Sequence, residues 1–141
     1  MKIILQPDPI LGCVCDPIAA SEYSRWGRIG TEMLQLMHDR NGIGLAAPQV
    51  GLLSRCIVVS VSGVAFVALN PVIIWRKGRM GAREGCLSAP GKLVRVDRAE
   101  SIRLVYITTI GGSPHERRAR GLLARVIQHE VDHLDGICKV K

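Results

Sequence analysis

Two helix-patterned stretches on either side of a run of short β-branched segments predict a mixed helix-and-sheet fold. Three observations carry the prediction. Trp26, Ile29, Met33, Leu34 and Met37 recur at the spacing of one buried helix face. Cys56-Ile57-Val58-Val59-Ser60-Val61 is β-branched and stops at Ser62-Gly63, a hairpin-type turn. Leu122, Leu123, Val126, Ile127 and Leu134 then make a second helical face.

The elements follow in order. Residues 6–18 read as irregular, because Pro7 and Pro9 restrict the backbone on both sides. Cys13 and Cys15 share one face of an extended segment and read as small packed hydrophobes. The first helix is expected from Ser21 to Arg40, with Ser21 or Ser24 as N-cap. His38 lies near its end as a capping or surface residue. Asn41-Gly42 ends it, with Gly42 suited to the left-handed position past a helix. The glycine-rich stretch 41–51 lacks the Lys-Ser/Thr of a phosphate loop. Its backbone could pair with a peptide, and Gln49 could aim its amide at a developing oxyanion.

Strands are expected at Cys56–Val61, Val64–Leu69 and Val72–Trp75, with Asn70-Pro71 as punctuation. Residues 78–91 read as loop, followed by strands at Leu93–Val96 and Ser101–Thr108. His115 falls in a loop after the Gly111-Gly112-Ser113 turn. The second helix is expected from Glu116 to Leu134, stopped by Gly136.

The chain has 141 residues, 48% hydrophobic, which favours one domain over 1–141 with a real core. The net charge is +7, with the basic residues scattered and one cluster at Arg117, Arg118 and Arg120. No aromatic residue interleaves with that cluster, so the sequence supports no base-stacking surface, and no specific nucleic-acid binding is expected. Five cysteines without an export leader point to a reducing cytoplasm. No apolar run approaches the ~18 residues of a membrane span, so no membrane partner is expected.

The chemistry centres on Gln128-His129-Glu130-Val131-Asp132-His133. Residues i and i+4 of a helix share a face, so His129 and His133 can reach one metal ion. Glu130 is turned about 100° away and can act as a base beside it. A third ligand at the metzincin spacing fails, because that position is Lys139. Only eight residues follow His133, so the ligand has to come from upstream. Cys86 is the best candidate, alone among the cysteines in a polar, glycine-bearing loop. An incidental turn cysteine or a nucleophile with histidine as base are its other readings. Asp132 and Asp135 are additional acids, with Asp132 better placed to support a ligand than to be one.

Gly42-Ile43-Gly44-Leu45-Ala46-Ala47-Pro48-Gln49, Glu84-Gly85-Cys86-Leu87-Ser88 and Gln128-His129-Glu130-Val131-Asp132-His133-Leu134-Asp135-Gly136 resemble, in order, the three signature motifs of peptide deformylases. Pro7-Asp8-Pro9-Ile10-Leu11 resembles that family's N-terminal stretch, so the likeness covers nearly the whole chain. It implies an α+β fold, with antiparallel β-sheets packed around a central metal-binding helix and one N-terminal helix. It implies removal of the N-formyl group from the formylmethionine of nascent polypeptides in the cytoplasm, or a host's cytoplasm for a phage protein. Cys86, His129 and His133 would hold one divalent metal, usually Fe²⁺, with Zn²⁺, Ni²⁺ or Co²⁺ as substitutes. Metal-bound water would attack the formyl carbon, with Glu130 as general base. The Gln49 side chain and the Leu87 N–H would hold the oxyanion. Ile43, Gly44 and Gly85 would pair with the peptide. Leu122, Val126 and His129 would surround the methionine side chain, with Arg125 perturbing that pocket. Many bacterial members continue into a C-terminal helix used in ribosome docking. A chain ending at Lys141 resembles shorter phage forms and leaves only weak ribosome association expected.

Two rivals stay open on the sequence. One is a metallopeptidase cutting ordinary peptide bonds. The other is a non-catalytic, metal-stabilised protein that binds RNA.

Overall fold

The turn at Ser62-Gly63 forms as its sequence requires: both residues take positive φ, 49° and 83°. That is the backbone of a two-residue hairpin whose twist matches its strands. In the computed structural model, which describes residues 1–141, this turn joins β2 (Cys56–Val61) to β3 (Val64–Lys77) in full antiparallel register. The other elements are α1 (Tyr23–Asp39), β1 (Gly44–Ala46), β4 (Met80–Glu84), β5 (Val94–Arg98), β6 (Ser101–Ile107), β7 (Pro114–Arg120) and α2 (Gly121–Leu134).

One antiparallel sheet has the order β1-β2-β3-β6-β7, and β4 and β5 form a second, two-stranded sheet. The run Cys56–Val59 is continuously apolar because β2 is buried on both faces. Ile57 and Val59 join Ile102, Leu104 and the apolar residues of α2 in one core. Cys56 and Val58 join Trp26, Met33 and Met37 of α1 in the other. The α+β arrangement and the central position of α2 therefore match expectation. From Ala124 to Leu134 only Asp132 of α2 escapes full burial.

Several boundaries differ. The first helix starts at Tyr23 after a short 3-10 turn, and no side chain caps it; neither Ser21 nor Ser24 is its N-cap. Asn41, not Gly42, takes the left-handed φ of 57° past its end. Val64–Leu69 and Val72–Trp75 are one strand, not two. Asn70 sits at a register shift with φ 49°, and its side chain bonds both the N–H and the carbonyl of Ile18. Part of the expected loop 78–91 is strand β4, paired with β5 from Met80 to Glu84. Glu116–Arg120 is strand, and the second helix starts only at Gly121. His115 lies in that strand against the Tyr106 ring, not in a loop. The charged string Glu116-Arg117-Arg118 hid the alternation, because β7 is an edge strand whose outward positions face water.

Candidate active site

Three donors converge where α2 meets the loop after β4. His133 Nε2 lies 3.2 Å from His129 Nε2 and 3.5 Å from Cys86 Sγ. All three ligand atoms fall within 4.8 Å of one another. The helix supplies both histidines because their i, i+4 spacing stacks them on one face. The loop supplies the thiol, anchored by Ala89 N–H donating to the Cys86 carbonyl at 2.9 Å.

These separations fit a cation better than a hydrogen-bonded cluster. With metal–nitrogen distances near 2.0–2.1 Å and metal–sulfur near 2.3 Å, tetrahedral ligands stand about 3.3 Å (N to N) and about 3.6 Å (N to S) apart. Two imidazole nitrogens facing each other as closely as His129 and His133 otherwise need a shared proton. Burial, with help from the nearby His129 and Arg98 charges, pushes the His133 imidazole down to about 3, so it stays neutral as a ligand requires. In the protein alone, the Cys86 thiol is held well above its usual range by the neighbouring Cys138 thiol and by burial. A divalent cation beside it reverses that preference.

Behind the donors lies a polar network that sequence reading did not assign. The His129 Nδ1–H donates to Glu84 Oε1 at 2.9 Å, which fixes the tautomer and leaves Nε2 for a metal. Arg98 donates twice to Glu84, at 2.7 and 2.9 Å, and to Asp132 Oδ2 at 2.8 Å. Arg125 donates to Glu84 Oε2 at 2.6 Å and to the Val96 and Met80 carbonyls. Burial opposes ionisation of Glu84, yet the bonds from His129, Arg98 and Arg125 outweigh it and hold the carboxyl at about 2. The available signal was an acid two residues before Cys86, together with an arginine at an apolar position of α2. Asp132, read as a supporting acid, does support Arg98.

Glu130 Oε1 is buried without a hydrogen-bond partner. Burial raises its carboxyl to about 7, partly offset by His129 and Arg98. Gln49 is oriented from both ends: its Oε1 accepts from Ala46 N–H at 2.9 Å, and its Nε2 donates to Ser88 Oγ at 3.0 Å. The same Nε2 points at Cys86 Sγ, 3.6 Å away. The amide NH₂ therefore faces the site.

A cavity of about 850 Å³ opens over these groups, and Ile43, Gly44, Gly85, Leu87, Leu122 and Val126 all line it. Gly44 starts β1, an edge strand with one side free to pair. A Cβ at Gly44 would stand 2.5 Å from Glu130 Oε2, so only glycine fits there. Leu122, expected on the helix's buried face, is 52% exposed and faces the cavity instead. Arg125 lines the same cavity, but its guanidinium is turned toward Glu84, Val96 and Met80.

Comparison with known proteins agrees with this geometry. The family model for polypeptide deformylase matches residues 1–141. A peptide deformylase of Alkalilimnicola ehrlichii is 41% identical over 140 residues, covering 96% of this chain and 78% of that one. The crystal structure of peptide deformylase from Thermus thermophilus superposes with a TM-score of 0.91 at 41% identity, covering 96% of this chain and 81% of that one. A deformylase from a Vibrio parahaemolyticus bacteriophage gives 0.92 at 33% identity, covering 98% and 99%. The chain belongs to the polypeptide deformylase family, metal-dependent hydrolases that remove the N-formyl group from nascent polypeptides.

Proposed function

We propose that residues 1–141 act as one catalytic domain in which Cys86, His129 and His133 hold a single Fe²⁺. Zn²⁺, Ni²⁺ or Co²⁺ suit the same donors. The observation that carries the reading is the convergence of three donor atoms beside a buried, unpartnered carboxylate oxygen. The cation, when bound, supplies Lewis-acid activation. Glu130 takes the nucleophile's proton at Oε1 and returns it to the leaving amine as formate departs. Gln49 Nε2 and the Leu87 N–H donate to the oxyanion of the tetrahedral intermediate. The peptide backbone adds to the β1 edge at Ile43 and Gly44 and meets Gly85 across the cleft. The methionine side chain packs on Leu122 and Val126. The basic net charge adds a weak attraction to ribosomes, and the cytoplasm is where such substrates are made.

Formate release from formyl-Met-Ala-Ser by anaerobically purified protein tests the reading. Turnover with iron bound supports it. Absence of formate with both iron and zinc overturns it, and cleavage of an unformylated peptide would point to the metallopeptidase. Two variants separate the roles. Cys86→Ala is expected to lose its metal on dialysis; content held at one per chain would remove Cys86 from the ligand set. Gln49→Leu is expected to keep metal and lower kcat by about 10²–10³, the typical effect of losing one oxyanion donor. An unchanged kcat would remove Gln49 from that role.

A further inference from the structure

The outer face of the five-stranded sheet carries a second, differently built surface. Directly paired residues of antiparallel strands point to the same side. Trp75 pairs with Arg103, which pairs with Arg118. Lys77 pairs with Ser101, which pairs with Arg120. The pairing thus lays down two adjacent cross-strand rows, Trp75–Arg103–Arg118 and Lys77–Ser101–Arg120. They are two residues apart, or roughly 7 Å at the rise of a strand. The alternation in β6 leaves Arg103 outside while Ile102 and Leu104 fill the core.

Two of the four cations here have acidic partners and two have none. Arg103 donates to Glu116 at 2.6 Å, and Arg120 stands 3.7 Å from Glu100. Arg118 and Lys77 form no ion pair, and Arg118 stands directly across from Arg103, whose own charge is met by Glu116. Trp75 is 42% exposed at the end of one row, whereas Trp26 is 5% exposed. A depression of about 630 Å³ at this end of the sheet is lined by Trp75, Arg103, Arg118 and Arg120 and also by the core-facing Ile102, Ala119 and Leu123, and none of its lining residues borders the catalytic cavity. Keeping a sheet edge from pairing explains arginines on β7, but it gives no reason for an exposed tryptophan opposite them.

We propose that this face binds single-stranded RNA without sequence preference: the arginine and lysine rows take phosphates and Trp75 stacks on a base. The cluster at Arg117, Arg118 and Arg120 has no aromatic beside it along the chain, because Trp75 joins Arg118 only through β6. A second copy of this chain fits the face poorly, since a two-fold contact would set the same four cations against themselves. RNA supplies the missing opposite charge and is abundant wherever nascent chains are made.

The test uses fluorescence anisotropy of the metal-loaded protein with a labelled, unstructured RNA of about 12 nucleotides. Binding is expected to weaken on the order of 20–50-fold between about 50 and 200 mM salt, as three or four phosphate contacts require. Trp75→Ala should weaken it at least about fivefold. Lys77→Glu and Arg118→Glu should each flatten the salt slope by about one. RNA should also shield Trp75 fluorescence from iodide. All three variants should keep wild-type formate release from formyl-Met-Ala-Ser, which shows that they fold and separates this proposal from the catalytic one. No binding at low salt, or binding that ignores all three substitutions, overturns it. So does a dimer that Trp75→Ala dissolves, or adsorption to anionic vesicles through these residues without affinity for RNA.

Discussion

Glu130→Gln is expected to retain one cation per chain and lose about 10²–10⁴ in kcat, the range that a positioned acid–base group contributes. Glu130 Oε1 has no hydrogen-bond partner inside the protein, and burial brings the carboxyl up to about 7. A group so placed gains nothing structurally from its charge, yet it is poised to exchange a proton near neutral pH. The amide is nearly isosteric, so Tm should not fall and the histidines should hold their positions. Formate release measured beside metal content checks this. Full activity in the metal-loaded variant would sink the assignment of Glu130 as base.

Glu84→Gln should act in the opposite way, through stability. Glu84 is the common acceptor for Arg98, Arg125 and His129, and all four side chains are buried. Neutralising it leaves two guanidinium groups without that buried countercharge, a loss of about 3–5 kcal/mol and a fall in Tm of roughly 10–17 °C. Metal affinity should drop about 10–100-fold, because the group that orients His129 is weakened. The pH dependence has a definite sign. The folded carboxyl sits at about 2, below its ordinary 4.5, so its contribution is complete above pH 4.5 and disappears as pH falls toward 2. The gap in Tm between wild type and Glu84→Gln should therefore close over that window. Parallel melting curves from pH 6 to about 2 would exclude this role.

Much of the site was legible in the sequence because its residues sit in short local strings. His129, Glu130 and His133 need only one helical turn to converge, and Cys86 was singled out by its polar loop. The Glu84–Arg98–Arg125–Asp132 network was not legible. Its members come from β4, β5 and α2, and nothing in a one-dimensional pattern says that β4 lies against β5 over α2. The same limit hid the outer basic face, whose rows exist only once β3, β6 and β7 are in register. Boundary errors have a common cause in tertiary override of local signals. Asn70-Pro71 looks like punctuation until a register shift and the Ile18 backbone absorb it. Glu116–Arg120 looks helical until pairing with β6 imposes extension.

Cys86 and His133 lie 47 positions apart in the chain. Between them run β5, β6, β7 and nearly all of α2. A cation held by both ends, as proposed, would turn that segment into a closed ring and restrict the unfolded chain as a cross-link does. Loss of the cation would then lower the stability of the whole segment by freeing its unfolded state, not by straining any one strand.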